Sequence, residues 1–231
     1  VQQPFTKLDR IYQVLVATYG EPENHPDGDA LGGLIGTILS QHTSDSNAHR
    51  AYRQLRAAFP TWEAVRDAPV EVLAETIRCG GLAHIKAQRI QQVLHVLTVR
   101  LEGEPLTLDW LAALPLAEAR AFLEALPGVG PKTAACVLLF HLGKPAMPVD
   151  THVYRVSKRL GLIGARVTPE QAHEFYDALV PPERIYPLHV NLIRHGRQVC
   201  HAQRPSCESC VFRMECAYST AMPLRAGGSH T

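Results

Sequence analysis

The sequence predicts an all-α fold assembled from short helices. Three observations carry this. Apolar residues recur at helical spacing along almost the whole chain, no segment alternates as a half-buried strand does, and Gly, Pro and capping residues punctuate it at short intervals. The 231 residues, 46% hydrophobic and 19% charged, suffice for one large domain or two small ones with real cores.

The elements follow in order. Leu8, Ile11, Tyr12, Leu15 and Val16 line one face of a helix over 5–19, which the polar stretch Gly20 to Asp29 ends. Leu31 to Leu39 follows, apolar and rich in small residues. Ser44 or Asp45 caps a helix running to about Phe59. Short helices follow at Thr61 to Val65 and Val70 to Ile77, and Gly80-Gly81 breaks the chain. Ile85 to Leu101 turns Ile90, Val93, Leu94 and Leu97 inward. After a loop at Gly103 and Pro105 come short helices at Leu108 to Leu114 and Leu116 to Leu126. Pro131 opens a helix that Gly143 stops; Asp150 caps Thr151 to Leu160, which Gly161 ends. Pro169 to Val180 and Pro187 to His195 complete the set.

Net charge is +1, but it is unevenly spread. Residues 132–166 carry +5, from Lys132, Lys144, Arg155, Lys158, Arg159 and Arg166 against Asp150, whereas residues 60–131 carry −3. The basic stretch suggests either a local anion-binding face or a solvated helix surface. The longest apolar run, Ala134 to Phe140, is too short to span a bilayer, and the first residues lack a signal-peptide pattern. An intracellular, cytoplasmic setting is expected.

The most informative stretch is Leu126-Pro127-Gly128-Val129-Gly130-Pro131-Lys132-Thr133-Ala134. Two glycines, expected at positive φ, would build a tight turn whose amides face outward at a helix start, a place for a phosphate. Lys132 stands in the first turn beyond. A lysine is an amine nucleophile only when neutral, which the positive end of the helix dipole and the apolar neighbours Val129, Ala135 and Cys136 would favour. From these nine residues alone, a phosphate-contacting lysine beside a non-catalytic hairpin is the simpler reading. Asp150 is first a helix N-cap, and a carboxylate there can also assist proton transfer. His152 reads as a capping or packing residue.

Cys200, Cys207, Cys210 and Cys216 form a C-x6-C-x2-C-x5-C array. Four thiolates in one short span of an intracellular chain imply a metal site, with zinc and a four-iron cluster both accepting four sulfurs. Cys79 and Cys136 read as buried core residues.

The glycine hairpin ending in Lys132, Asp150 eighteen positions on, and the cysteine array in this order resemble the endonuclease III family. These are helix-hairpin-helix DNA glycosylases with a C-terminal iron–sulfur cluster loop. The likeness runs from about Phe5 to Met222. It implies two helical domains flanking a DNA-binding cleft. One is a six-helix domain over 24–135 that carries the hairpin; the other is a cluster domain of 1–23 with 136–222. Residues 223–231 are left as a mobile tail.

The resemblance further implies that Lys132 attacks C1′ of a damaged pyrimidine nucleotide flipped from the duplex, with strand scission by β-elimination and help from Asp150. Gly128, Val129 and Gly130 would hold a phosphate, and Cys200, Cys207, Cys210 and Cys216 a [4Fe-4S] cluster rather than zinc. The partner would be double-stranded DNA containing oxidised pyrimidines or abasic sites, met by a monomer near the nucleoid and away from membranes.

In the family a glutamine after an L-S-x motif fills the hole left by the flipped base, and a leucine in a G-L loop wedges the opposite strand. Here Leu39-Ser40-Gln41-His42 puts His42 at the glutamine position and Gln41 one place earlier, a departure from the pattern. Leu82 in Gly81-Leu82 is the expected wedge. Lys86 and Arg89 are each expected at a phosphate or, on the simpler reading, facing solvent. The segment Leu106 to Ala125 is longer than in compact members, and the low net charge implies weaker, salt-sensitive DNA affinity. The adenine-specific branch of the superfamily lacks a lysine at the catalytic position, so Lys132 disfavours it. A non-catalytic DNA-binding relative is a further alternative.

Overall fold

A computed structural model describes residues 4–221, and the stretch 223–231 expected as a tail lies outside them. The described residues are all-helical, as the periodicity predicts. The helices are α1 (Pro4–Tyr19), α2 (Ala30–Ser40), α3 (Asp45–Ala58), α4 (Trp62–Asp67), α5 (Val70–Thr76), α6 (Ala83–Leu101), α7 (Leu116–Glu124), α8 (Pro131–Phe140), α9 (Thr151–Leu160), α10 (Pro169–Leu179), α11 (Pro182–Gln198) and α12 (Ala217–Ala221). None of them is long and apolar enough to cross a membrane.

The chain divides into two units: one runs from Asn24 to Pro148, and the other joins residues up to Glu23 with those from Val149 onward. In the first, α2 is mostly apolar and lies against α3, α6 and α8. Leu31, Leu34, Ile35, Ile38 and Leu39 of α2 pack with Leu55, Leu73, Ile90, Leu94, Leu97, Leu123, Val137 and Leu138, all 3% exposed or less. The second unit is built on α11, which packs against α1 and α9, with α12 also on α9. Its core holds Ile11, Leu15, Val153, Val156, Tyr176, Leu188, Leu192 and Phe212. Buried Asn191 donates Nδ2 to the Gly20 carbonyl at 2.8 Å, pinning the end of α1.

Local chemistry explains most boundaries. Ser44, Thr61, Asp150 and Thr168 each accept an amide of the first helical turn. Three expectations need correction. Leu108 to Leu114 forms a 3-10 turn at Asp109–Ala113. The last long helix starts at Pro182, not Pro187. Pro182 takes the N1 place, and Pro187 sits inside, giving up a single hydrogen bond just past the first turn. Cys79 is half-buried, its Sγ donating to Gln54 Oε1 at 3.0 Å, whereas Cys136 is buried as expected.

Candidate functional site

The hairpin joins α7 to α8. The Val129 amide donates to the Leu126 carbonyl at 3.1 Å, and Gly128 takes φ +73°. The Val129 side chain is turned into the core, so Val129 is committed to the turn and not to an outside ligand. Gly130 departs from the expected positive φ: at φ −102°, ψ 178° it is extended backbone and the N-cap of α8. No side chain caps that helix, which leaves its first amides facing outward. A Cβ at Gly130 would meet nothing within 4 Å. Neither strain nor crowding within the protein therefore requires glycine there.

Lys132 is the second residue of α8 and is exposed, without a hydrogen-bond partner among the described residues. The desolvation expected from its neighbours is absent, because Val129, Ala135 and Cys136 point into the core while Lys132 points out. Asp150 caps α9 in the other unit, accepting the Val153 amide on Oδ1 at 2.7 Å.

The other expected contacts sort into two kinds. Leu82 is 51% exposed at φ +48°, and His42 is exposed at φ +54°; both are presented outward in the left-handed region. Gln41 instead turns to the hairpin. Its Nε2 donates to the Gly128 carbonyl at 3.3 Å, and its Oε1 accepts from Arg89 Nη1 at 3.1 Å. Arg89 lies under the hairpin, where a Cβ on Gly128 would fall 2.7 Å from its Cδ.

Lys86 overturns the phosphate expectation. It is 1% exposed, and its ammonium donates to the Leu39 and Gly80 carbonyls at 2.7 and 2.8 Å. Burial pulls its pKa down from the ordinary lysine value.

Four of the six cations of the basic stretch are tied up within the fold, while Lys132 and Arg166 are exposed. Lys144, Arg155, Lys158 and Arg159 all donate to backbone carbonyls. Such groups are spent on holding loops. Arg155 also meets His152 Nδ1 at 3.0 Å, so His152 packs as expected.

Sequence reasoning missed a 360 Å³ pocket in the first unit, lined by Asp27, Thr37, Ser40, Asp45, Tyr52 and His141 among others. His141 Nδ1 lies 2.7 Å from Asp27 Oδ1. Desolvation raises the Asp27 pKa, but the His141 hydrogen bond and backbone amides outweigh it and hold the carboxyl below its usual value. The overlooked signal was three glycines in apolar α2, each costing about 1 kcal/mol relative to Ala in a helix. A Cβ at Gly33 would lie 2.2 Å from the His141 ring, and one at Gly32 2.6 Å from Tyr52 Oη.

In the second unit, Cys200, Cys207, Cys210 and Cys216 line one cavity together with Arg159 and His195, and all four are free thiols. Arg159 Nη1 donates to Cys200 Sγ at 3.4 Å, and His195 Nε2 lies 3.6 Å from Cys210 Sγ. Burial pushes His195 down to about 4, so its ring is neutral at pH 7. Burial and the neighbouring thiols push Cys207 and Cys210 up.

Residues 35–182 match the family model for the HhH-GPD superfamily base excision DNA repair protein. Endonuclease III of Thermotoga maritima is 35% identical over 198 residues, covering 85% of this chain and 87% of that protein. A non-covalent endonuclease III–DNA complex superposes with TM-score 0.80 at 29% identity, covering 95% of this chain and 98% of the other. A trapped endonuclease III–DNA covalent intermediate gives TM-score 0.80 at 28% identity, with the same coverage.

Proposed function

The chain belongs to the HhH-GPD superfamily of base excision DNA repair proteins, and we propose that it is a bifunctional DNA glycosylase and abasic-site lyase that removes oxidised pyrimidines from duplex DNA. One observation carries the chemistry: an exposed, unpartnered lysine in the first turn of α8, beside open space at Gly130. A phosphate held on the uncapped amides of that turn brings a nucleotide within reach of Lys132. Contact with DNA then supplies the exclusion of water that the free protein lacks.

Nζ bonds to C1′ of the extruded nucleotide as the glycosidic bond breaks, and the base leaves with that bond's electrons and is protonated. Loss of the nitrogen proton lets its electron pair form the C1′=N bond as the C1′–O4′ bond breaks and O4′ takes up a proton, which gives the open-chain imine. Removal of a C2′ proton then expels the 3′ phosphate by β-elimination, and water releases the lysine. Asp150 accepts a proton or steadies the oxocarbenium-like state. The 360 Å³ pocket falls within the ~300–1,000 Å³ range of small-ligand sites and is the candidate for the extruded base on this reading. The setting on this reading is the cytoplasm, at the nucleoid, with double-stranded DNA as partner.

The four thiols fit a [4Fe-4S] cluster: they share one cavity, none is bridged, and Arg159 offsets the negative charge of thiolates. A single zinc ion would accept the same four sulfurs. When bound, the cluster supplies iron–thiolate bonds that cross-link the 200–216 loop.

The test is strand cleavage and borohydride trapping on duplexes carrying thymine glycol or an abasic site. Binding without cleavage or trapping on either duplex would refute the reading.

Two variant pairs refine it. Gly128→Ala forces a side chain into the left-handed region against Arg89 and should cost about 1–2 kcal/mol of stability. Gly130→Ala should leave melting unchanged yet weaken binding to abasic duplex, since only DNA would occupy that space; equal affinities would remove Gly130 from the interface. Asp150→Asn keeps a good N-cap and should melt like the parent, while single-turnover cleavage falls about 100-fold or more. Asp150→Ala should lose about 1 kcal/mol as well. Full cleavage by the Asn variant would make Asp150 a cap and nothing more.

A further inference from the structure

Lys86 lies in the first turns of α6 and is buried, yet the two groups its ammonium bonds are neutral carbonyls. A buried ammonium without a carboxylate is an expensive core group, and a methionine would fill similar space at lower cost. Stability alone therefore does not account for it. The placement of its partners does. Leu39 sits in the last turn of α2, and Gly80 ends the 3-10 turn Arg78–Gly80. Carbonyls at helical C-termini lack intrahelical donors and carry partial negative charge, so one ammonium closes two helical ends. The two ends nearly touch, since a Cβ at Gly80 would stand 3.9 Å from the Leu39 oxygen.

Just beyond each closed end the chain reaches a strained residue. His42 follows Leu39 at φ +54°, and Leu82 follows Gly80 at φ +48°. A non-glycine residue in that region costs about 1–2 kcal/mol, which the surroundings must hold in place. Both side chains project outward. Lys86 bonds a carbonyl just before each of them and is their shared anchor.

We propose that Lys86 is a positioning residue that sets the His42 and Leu82 loops at a fixed separation, so that the two side chains insert into the DNA stack as a pair around the extruded nucleotide. This rests on the glycosylase reading above. Unstacking a base costs a few kcal/mol, and a common anchor lets both side chains contribute to meeting that cost at once.

The test is a double-mutant cycle on the affinity for duplex DNA containing a reduced abasic site, using the wild type, Lys86→Met, Leu82→Ala and the double variant. In the wild-type background Leu82→Ala should weaken binding about tenfold, and in the Lys86→Met background about twofold or less. A 2-aminopurine placed opposite the site should brighten with wild type and stay quenched with Lys86→Met. Lys86→Gln, which keeps a donor for the two carbonyls, should recover part of both signals and serves if the methionine variant does not fold. Losses that simply multiply, or Lys86 variants that bind and unstack like wild type, would overturn the proposal. A wild type that neither binds nor cleaves abasic duplex would instead sink the glycosylase reading.

Discussion

Borohydride added to a reaction on abasic duplex should leave the wild type covalently joined to DNA and the Lys132→Ala variant free. Strand cleavage by the variant should fall to the uncatalysed background. The physical case is unusually clean, because Lys132 is exposed and has no hydrogen-bond partner among the described residues. Surface substitutions of that kind shift stability by about 0.5 kcal/mol or less, and alanine is a better helix former. Melting should therefore be unchanged. Binding should persist too, since the uncapped amides at the start of α8 and the outward Leu82 remain. A variant that folds and binds but forms no adduct assigns the nucleophile. Continued trapping would place the reacting amine elsewhere, and loss of binding along with trapping would return Lys132 to a phosphate contact.

Much of the frame is legible because it rests on local chemistry. Ser44, Thr61 and Asp150 cap their helices as their types predict, and Pro131 opens α8 at N1. What misled were side chains whose fate is decided across the fold. Lys86 reads as a surface cation, but the carbonyl of distant Leu39 and that of nearby Gly80 converge beneath it. Arg155 and Arg159 read as an anion-binding face, yet the 200–202 backbone supplies their acceptors. Gly130 reads as a strained turn glycine, whereas its extended backbone makes the open space above it the informative feature. The pocket was hidden because Asp27 and His141 are far apart in sequence, and only the glycines of α2 hinted at the room they need.

The second large effect is expected at Cys210. The chain from Cys200 to Cys216 contains no α-helix and has Phe212 as its main buried apolar anchor, edge-on to His195 with ring centroids 5.2 Å apart. So small a core cannot hold a loop of this length by itself. Purified wild type should be brown, with visible absorption that bleaches when iron is chelated. Cys210→Ala should be colourless and lose at least the ~2–5 kcal/mol typical of removing a cross-link from a small lobe. Amide exchange should accelerate across 199–217 first, and in α9 next, because Arg159 holds the loop through the His201 and Ala202 carbonyls. Cys136→Ala is the control. Its sulfur lies in buried α8 of the other unit, so colour should persist and only about 1 kcal/mol should be lost. Colourless wild type carrying one equivalent of zinc would replace the cluster with a single ion. A Cys210→Ala protein as stable as the parent would show that the loop stands on Phe212 and Arg159 without a metal.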